Sequence, residues 1–248
     1  MSAPGRSQAL IPEPFKGEGV AVSAPGRSQA LIPEPFKGEG TQVTKRVGLL
    51  GGTFDPVHLA HVALARAALG HLALDQVLWI PTGQPWQKTR TITAAEHRVA
   101  MVQAAIAHEP RFALSRVEVD RAGPSYTLDT VRALAAAQPG TDWFLLIGQD
   151  QYAQLHTWRD WQSLLQLVVL AVANRPVQAG VAPSEAARQP HPDVQSLAHR
   201  QVALPMMDIS STDIRRRALE GTDFSHLVPP AVARYIETHG LYPSPVRS

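Results

Sequence analysis

From Lys45 onward, short apolar runs alternate with helical patterns, and no other feature limits the fold of this chain as strongly. The runs RVGLL (46–50), QVLWIPT (76–82), FALSRVEV (112–119), WFLLIG (143–148) and LVVLAVA (167–173) are short and rich in β-branched or aromatic residues, and RQVALP (200–205) makes a sixth. Between them lie the helical patterns HLAHVALARAAL (58–69), TAAEHRVAMVQAAIA (93–107) and TLDTVRALAAA (127–137). Thr93 and Glu96 have the spacing of a capping box. Two later helices, 211–221 and 229–240, each end on a glycine. This alternation predicts an α/β fold: an open, doubly wound, mostly parallel sheet with C-terminal helices. Ligands of such sheets bind beyond the carboxyl ends of the strands. Residues 51–61, 81–88 and 148–158 are therefore expected along one edge.

The sequence divides into a leader, 1–44, and a domain, 45–248. The segment SAPGRSQALIPEPFKGEG occurs at Ser2–Gly19 and again, unchanged, at Ser23–Gly40. Two copies rich in Pro, Gly and Ser, with no periodic apolar face, build no solenoid and predict a disordered leader. The net charge of +2 comes from scattered Lys and Arg. It suits small anions, and no basic, aromatic-interleaved surface marks a nucleic-acid binder. With no cysteine in the chain, disulfides and thiolate chemistry are excluded. The longest apolar stretch, 164–173, is much shorter than the roughly 20 residues of a membrane span and reads as a buried strand. A cytoplasmic protein without a membrane partner is expected.

The first strand leads into GGTFDPVHLAH, Gly51 to His61. Gly51 and Gly52 allow close backbone approach, and the next helix offers unpaired N–H groups and a positive dipole end, which is the logic of a phosphate loop. The spacing matches neither the dinucleotide fingerprint nor the Walker loop. His58 and His61 share one helical face at that helix start, open to three readings: surface histidines, metal ligands or donors to phosphoryl oxygens. The HExxH pattern is absent and no third ligand lies nearby, so no metal-binding residues are expected. A second constellation, DISSTDIRRR (208–217), places Ser210, Ser211 and Thr212 at another helix start with Arg215 one turn on. Its ordinary reading is a capped helix with a solvated basic face. Two such cradles in one domain point instead to a substrate with several phosphates.

GGTFDPVHLAH together with ISSTDIR resembles the nucleotidyltransferase superfamily, whose signatures are a T/HxGH-type motif and an ISSTxxR motif. IPTGQPWQK, RVAMVQAA, GPSYTLDTV and IGQDQYAQLHTW follow the order of its bacterial nicotinate mononucleotide adenylyltransferase branch. The resemblance covers Lys45 to Tyr242 and makes 45–248 a catalytic domain. It implies transfer of the adenylyl group of ATP to nicotinate mononucleotide, giving deamido-NAD and pyrophosphate without a covalent intermediate. Mg²⁺ is implied as the cofactor, held mainly by ATP phosphates. By the same resemblance, His58, His61 and Arg215 are catalytic. Gly51, Gly52, Thr53, Phe54, Gly148, Asp150, Ser210, Ser211 and Thr212 join them in binding ATP. Thr82, Lys88, Tyr126, Thr127 and Trp158 bind the mononucleotide. Trp158 stacks on the pyridine ring, and backbone N–H groups near Thr82 and Tyr126 receive the carboxylate. Self-association is known in the family and left open here.

Two departures stand out. Ala60 occupies the place of the motif's usual glycine, and PWQK replaces the commoner PHK, which removes a histidine. Three rivals are weighed: the nicotinamide mononucleotide enzyme, another sister transferase, and a non-catalytic nucleotide-binding module. The first differs mainly in carboxylate recognition, the second lacks the GPSYTLDT and GQDQYAQLHTW pair, and the third is expected to lose His58, His61 or Arg215.

Overall fold

The computed structural model describes residues 44–84, 92–174, 190–205 and 207–243. Residues 1–43 of the leader, and Lys88, lie outside the described residues.

Six strands form one sheet: β1 (Lys45–Gly52), β2 (Gln76–Pro81), β3 (Phe112–Leu114), β4 (Thr141–Gly148), β5 (Val169–Asn174) and β6 (Arg200–Ala203). Their order is β3-β2-β1-β4-β5-β6, and every pairing is parallel. The helices are α1 (Leu59–His71), α2 (Ala95–Ile106), α3 (Thr127–Ala137), α4 (Gln149–Ala153), α5 (Trp161–Leu165), α6 (Pro192–Gln195), α7 (Ser211–Glu220) and α8 (Pro230–Thr238).

The alternation of side chains along each strand supplies two separate cores. Leu50, Val77, Trp79, Phe144, Leu146, Ala171 and Ala173 face one layer, which includes Val62, Ala65 and Leu69 of α1, Met101 of α2, Ile214 of α7 and Val232 of α8. Val47, Leu49, Leu78, Ile80, Leu145, Ile147, Leu170 and Val172 face the other, with Leu128 and Val131 of α3 and Leu164 of α5. Gly48 is required by packing: a Cβ there would lie 2.9 Å from Leu74 and 3.0 Å from Leu146. The small residues Ala65 and Ala68, fully buried, let α1 lie close to the sheet.

Several expectations need correction. No capping box forms at Thr93, because α2 begins at Ala95 after Ala94, whose side chain cannot cap. Glu96 instead accepts both terminal nitrogens of Arg116, at 2.8 and 3.0 Å. The third strand stops at Leu114; residues beyond it leave the sheet and carry Glu118 into a loop. The stretch 164–173 is not one strand: Leu164 and Leu165 end α5, Leu167 is exposed, and β5 starts at Val169. An apolar run shows that a segment is buried without showing where helix gives way to strand. His58 precedes α1 with extended backbone rather than opening its first turn. The sixth strand is shorter than expected, ending at Ala203.

In this strand order the chain winds outward in opposite directions from β1 and β4, so the crossovers part above the carboxyl ends of those two strands. β1 ends at Gly52 and β4 at Gly148.

Candidate active site

A cavity of about 570 Å³ opens at that switch point. Its walls include Gly51, Gly52, Thr53 and Phe54 after β1, and His58 and His61 at the start of α1. Thr82 follows β2, Tyr126 and Thr127 begin α3, and Gly148 and Asp150 follow β4. Trp158 and the pair Ser210 and Ser211 complete the set of expected residues in the wall. Thr212 and Arg215 stand on α7 just behind it.

The phosphate-loop geometry is unusual at Phe54, whose φ of 51° lies in the left-handed region that side-chain-bearing residues rarely occupy. Its ring is buried beneath the loop, edge-on to His61 at 5.1 Å and tilted against Trp79 at 5.5 Å. Gly52 must be small because this ring would meet a Cβ at 3.1 Å, whereas a Cβ on Gly51 would meet nothing within 4 Å. The two glycines thus have different causes: Gly52 accommodates Phe54, and Gly51 leaves the cavity floor open.

His58 and His61 stack with centroids 3.7 Å apart and planes inclined by 25°. The His58 backbone N–H donates to Nδ1 of His61 at 3.2 Å, which places the proton of a neutral His61 on Nε2. Burial of the ring, and then the neighbouring His58 charge, hold His61 well below its ordinary pKa. The residue is only half-buried overall, with its ring packed between those of Phe54 and His58. At neutral pH, His61 is therefore an uncharged donor, ready to charge when an anion arrives.

At α7, Ser210 caps the helix by accepting the Asp213 N–H at 3.1 Å. Ser211 Oγ donates to the Pro56 carbonyl at 2.9 Å, and Arg215 donates from Nη1 to the Asp55 carbonyl at 2.6 Å and from Nη2 to Thr212 Oγ1 at 3.2 Å. Arg216 and Arg217 both pair with Asp213, and Arg216 also with Glu220, so these two match the solvated-face reading. Arg215 is different, because it reaches back to the first motif. Of the first-turn N–H groups, that of His61 donates to the His58 carbonyl at 3.0 Å and that of Asp213 to Ser210 Oγ, and both helix starts carry the positive end of a helix dipole.

The opposite end of the cavity depends on residues that sequence reasoning missed. Arg98, 2% exposed, donates to the carbonyls of Thr53 and Thr93 at 2.9 Å each and to that of Gly83 at 3.4 Å, joining the loops after β1 and β2. It sat within RVAMVQAA, where a helical pattern gave no reason to single it out. Glu118 is buried in the cavity wall and accepts from Thr130 Oγ1 at 2.8 Å; desolvation pushes its pKa up. Gly83 presses on it so closely that a Cβ would sit 2.0 Å from the Glu118 carbonyl oxygen. The Gly83 N–H donates to Ser125 Oγ at 3.2 Å, and the Ser125 N–H returns a bond to Gln84 at 3.1 Å. Arg159, also in the wall, lies 4.6 Å from the centroid of the Tyr126 ring. Both Trp158 and Trp161 pack against the core layer beneath, and Trp158 alone of the two reaches the cavity.

Among the described residues, no group of three or more His, Asp or Glu could hold a metal ion. No helix among them is long and apolar enough to cross a membrane.

A parallel sheet with a cavity and two helix starts at its switch point has the architecture of a nucleotide-binding α/β protein. The cytidylyltransferase-like family profile matches residues 49–217. The "Probable nicotinate-nucleotide adenylyltransferase" of Methylibium petroleiphilum is 47% identical over 207 residues, covering 81% of this chain and 94% of that one. The protein of the same name from Bordetella petrii is 48% identical over 202 residues, covering 80% and 99%. Among solved structures, the Plasmodium falciparum nicotinic acid mononucleotide adenylyltransferase complexed with NaAD superposes with a TM-score of 0.64 over 82% of this chain and 100% of that one. Its 16% identity makes that a likeness of fold. The chain belongs to the cytidylyltransferase-like family, in its nicotinate-nucleotide adenylyltransferase branch.

Proposed function

We propose that the chain transfers the adenylyl group of ATP to nicotinate mononucleotide, releasing nicotinate adenine dinucleotide and pyrophosphate, in the cytoplasm where ATP is made available. The observation that carries this reading is the convergence of both motif helices, α1 and α7, on one cavity at the β1/β4 switch point. The transfer is in-line attack by the mononucleotide phosphate on the α-phosphorus. It asks the protein for positioning and charge stabilisation, with no covalent intermediate. Thr53 and the Gly51–Gly52 backbone receive the nucleotide, and Gly148 and Asp150 border its ribose. His61 donates through Nε2–H to phosphate oxygens as negative charge moves onto the leaving pyrophosphate, with His58 beside it. Ser210, Ser211 and Thr212 present the start of α7, and Arg215 holds the loop that faces the triphosphate. On the acceptor side, Tyr126 and Thr127 offer backbone donors at the start of α3, Trp158 offers a ring face, and Lys88 adds a cation. The Thr82 N–H is taken by the Gly52 carbonyl at 2.9 Å, so Thr82 shapes the wall instead of receiving the carboxylate. Magnesium enters as the counter-ion of ATP, held mainly by the phosphate oxygens.

The test is pyrophosphate release with ATP and Mg²⁺, offering nicotinate mononucleotide, nicotinamide mononucleotide and phosphopantetheine in parallel, with an EDTA arm. Fastest turnover with the acid mononucleotide, abolished by EDTA, is the expected result. Turnover confined to another acceptor would move the function to a sister transferase. Absence of release with all three would leave a binding module.

A further inference from the structure

The loop Thr53–Pro56 is strained at Phe54 and held from four directions. Arg98 grips the Thr53 carbonyl, Arg215 the Asp55 carbonyl and Ser211 the Pro56 carbonyl. The fourth hold comes from the far end of the chain: the Tyr242 hydroxyl donates to Asp55 Oδ1 at 2.8 Å across 187 residues of sequence. Asp55 is 1% exposed, so its carboxylate is buried within this arrangement. Tyr242 itself has a φ of 59°, in the left-handed region like Phe54, and stands two residues after Gly240. The bond joins Tyr242 to Asp55, the residue after Phe54, so left-handed backbone lies at one partner and directly beside the other, a conformation that surrounding structure imposes.

Resting on the site reading above, we propose that Tyr242 is a positioning residue for ATP: its hydroxyl fixes the Asp55 carboxylate and thereby the loop that aims His58 and His61 at the phosphates. Burial, and then the adjacent Asp55 charge, raise the phenol above its ordinary pKa, so the hydroxyl stays a donor through the working pH range. The other partners facing it are Thr93, which shares the hydroxyl, and Arg215, whose charge acts across the same loop. The acceptor end takes no part in this contact. Its supports run through Gly83, Ser125 and Glu118 instead.

Tyr242→Phe removes one oxygen and leaves the ring packed against the α1-side core. The expected result is a rise of about tenfold in KM for ATP with KM for nicotinate mononucleotide unchanged, the lower range for a hydrogen bond to a charged group. A merely structural role would move both constants together or only the melting temperature, and either pattern overturns the proposal. His61→Ala serves as the control in the same assay. A large loss there with Tyr242→Phe unchanged sinks the proposal and keeps the site; no loss in His61→Ala sinks both. Should Tyr242→Phe fail to fold, Asp55→Asn replaces the charged acceptor with a neutral one and weakens the bond without removing it. A smaller rise in KM confined to ATP is then expected, and equal effects on both substrates would again overturn the proposal.

Discussion

The two ends of the cavity are built by different means. The phosphate end is compact in sequence: eleven consecutive residues, Gly51 to His61, supply the open floor, the strained turn and the stacked histidines, and α7 adds one further helix start. The acceptor end is assembled from loops after β2 and β3, the start of α3 and the turn before α5, joined by Gly83, Ser125, Glu118 and Thr130. Charge recognition needs backbone N–H groups in a fixed local conformation, which a short motif can encode. Recognition of a ring and its substituent needs walls, and walls come from whatever the fold brings together.

If the division is real, substitutions at one end should leave the other untouched. The strongest case is His61→Ala, for which kcat should fall roughly 10²–10³-fold with little change in acceptor KM, measured by initial pyrophosphate release. Next comes Arg98→Met, the one change expected to breach the division, because the guanidinium serves Thr53 at one end and Gly83 at the other. Three half-buried carbonyls lose their donor, so unfolding by urea should show a loss of about 3 kcal/mol, with both KM values rising.

Trp158→Ala should act on the acceptor alone, raising its KM about tenfold while KM for ATP holds, since stacking and burial of one ring together contribute on the order of 1–2 kcal/mol. An equal change in both constants would remove Trp158 from the acceptor wall. The smallest effects concern proton binding. Folded His61 binds a proton less readily than the unfolded chain, so its contribution to stability is lost as pH falls from its ordinary 6.5 toward the lowered folded value. Triphosphate favours the charged ring, so ATP binding in the same window should take up a proton, visible by calorimetry in two buffers of different ionisation enthalpy and absent in His61→Ala. Glu118 has the opposite sign. Its pKa is raised, so the cost of burying it grows as pH climbs above its ordinary 4.5. Glu118→Gln should therefore be more stable than the parent at neutral pH, by about 1 kcal/mol or less, and not at pH 4.

Much of the fold was legible because strands buried on both faces read as continuous apolar runs, and α1, α3 and α7 were legible to within a residue or two. The errors fell where a local pattern had a stronger tertiary competitor. Thr93 could have capped α2, yet its carbonyl accepts Arg98 and its side chain faces Tyr242. FALSRVEV reads as a strand through Val119, but the chain leaves the sheet after Leu114 and brings Glu118 to the cavity.

What the sequence determined by itself was whatever depends on neighbours along the chain: the alternation of strand and helix, the glycine turn after β1, the helix starts at His58 and Ser210, and the motif order that assigned the branch. Only the tertiary structure decided which glycine relieves Phe54, why Arg215 turns inward while Arg216 and Arg217 do not, and how Arg98, Glu118 and Tyr242 support the site. Those contacts join residues far apart in the chain, and a hydrogen bond between distant residues leaves no periodicity and no spacing in a single sequence from which it could be read.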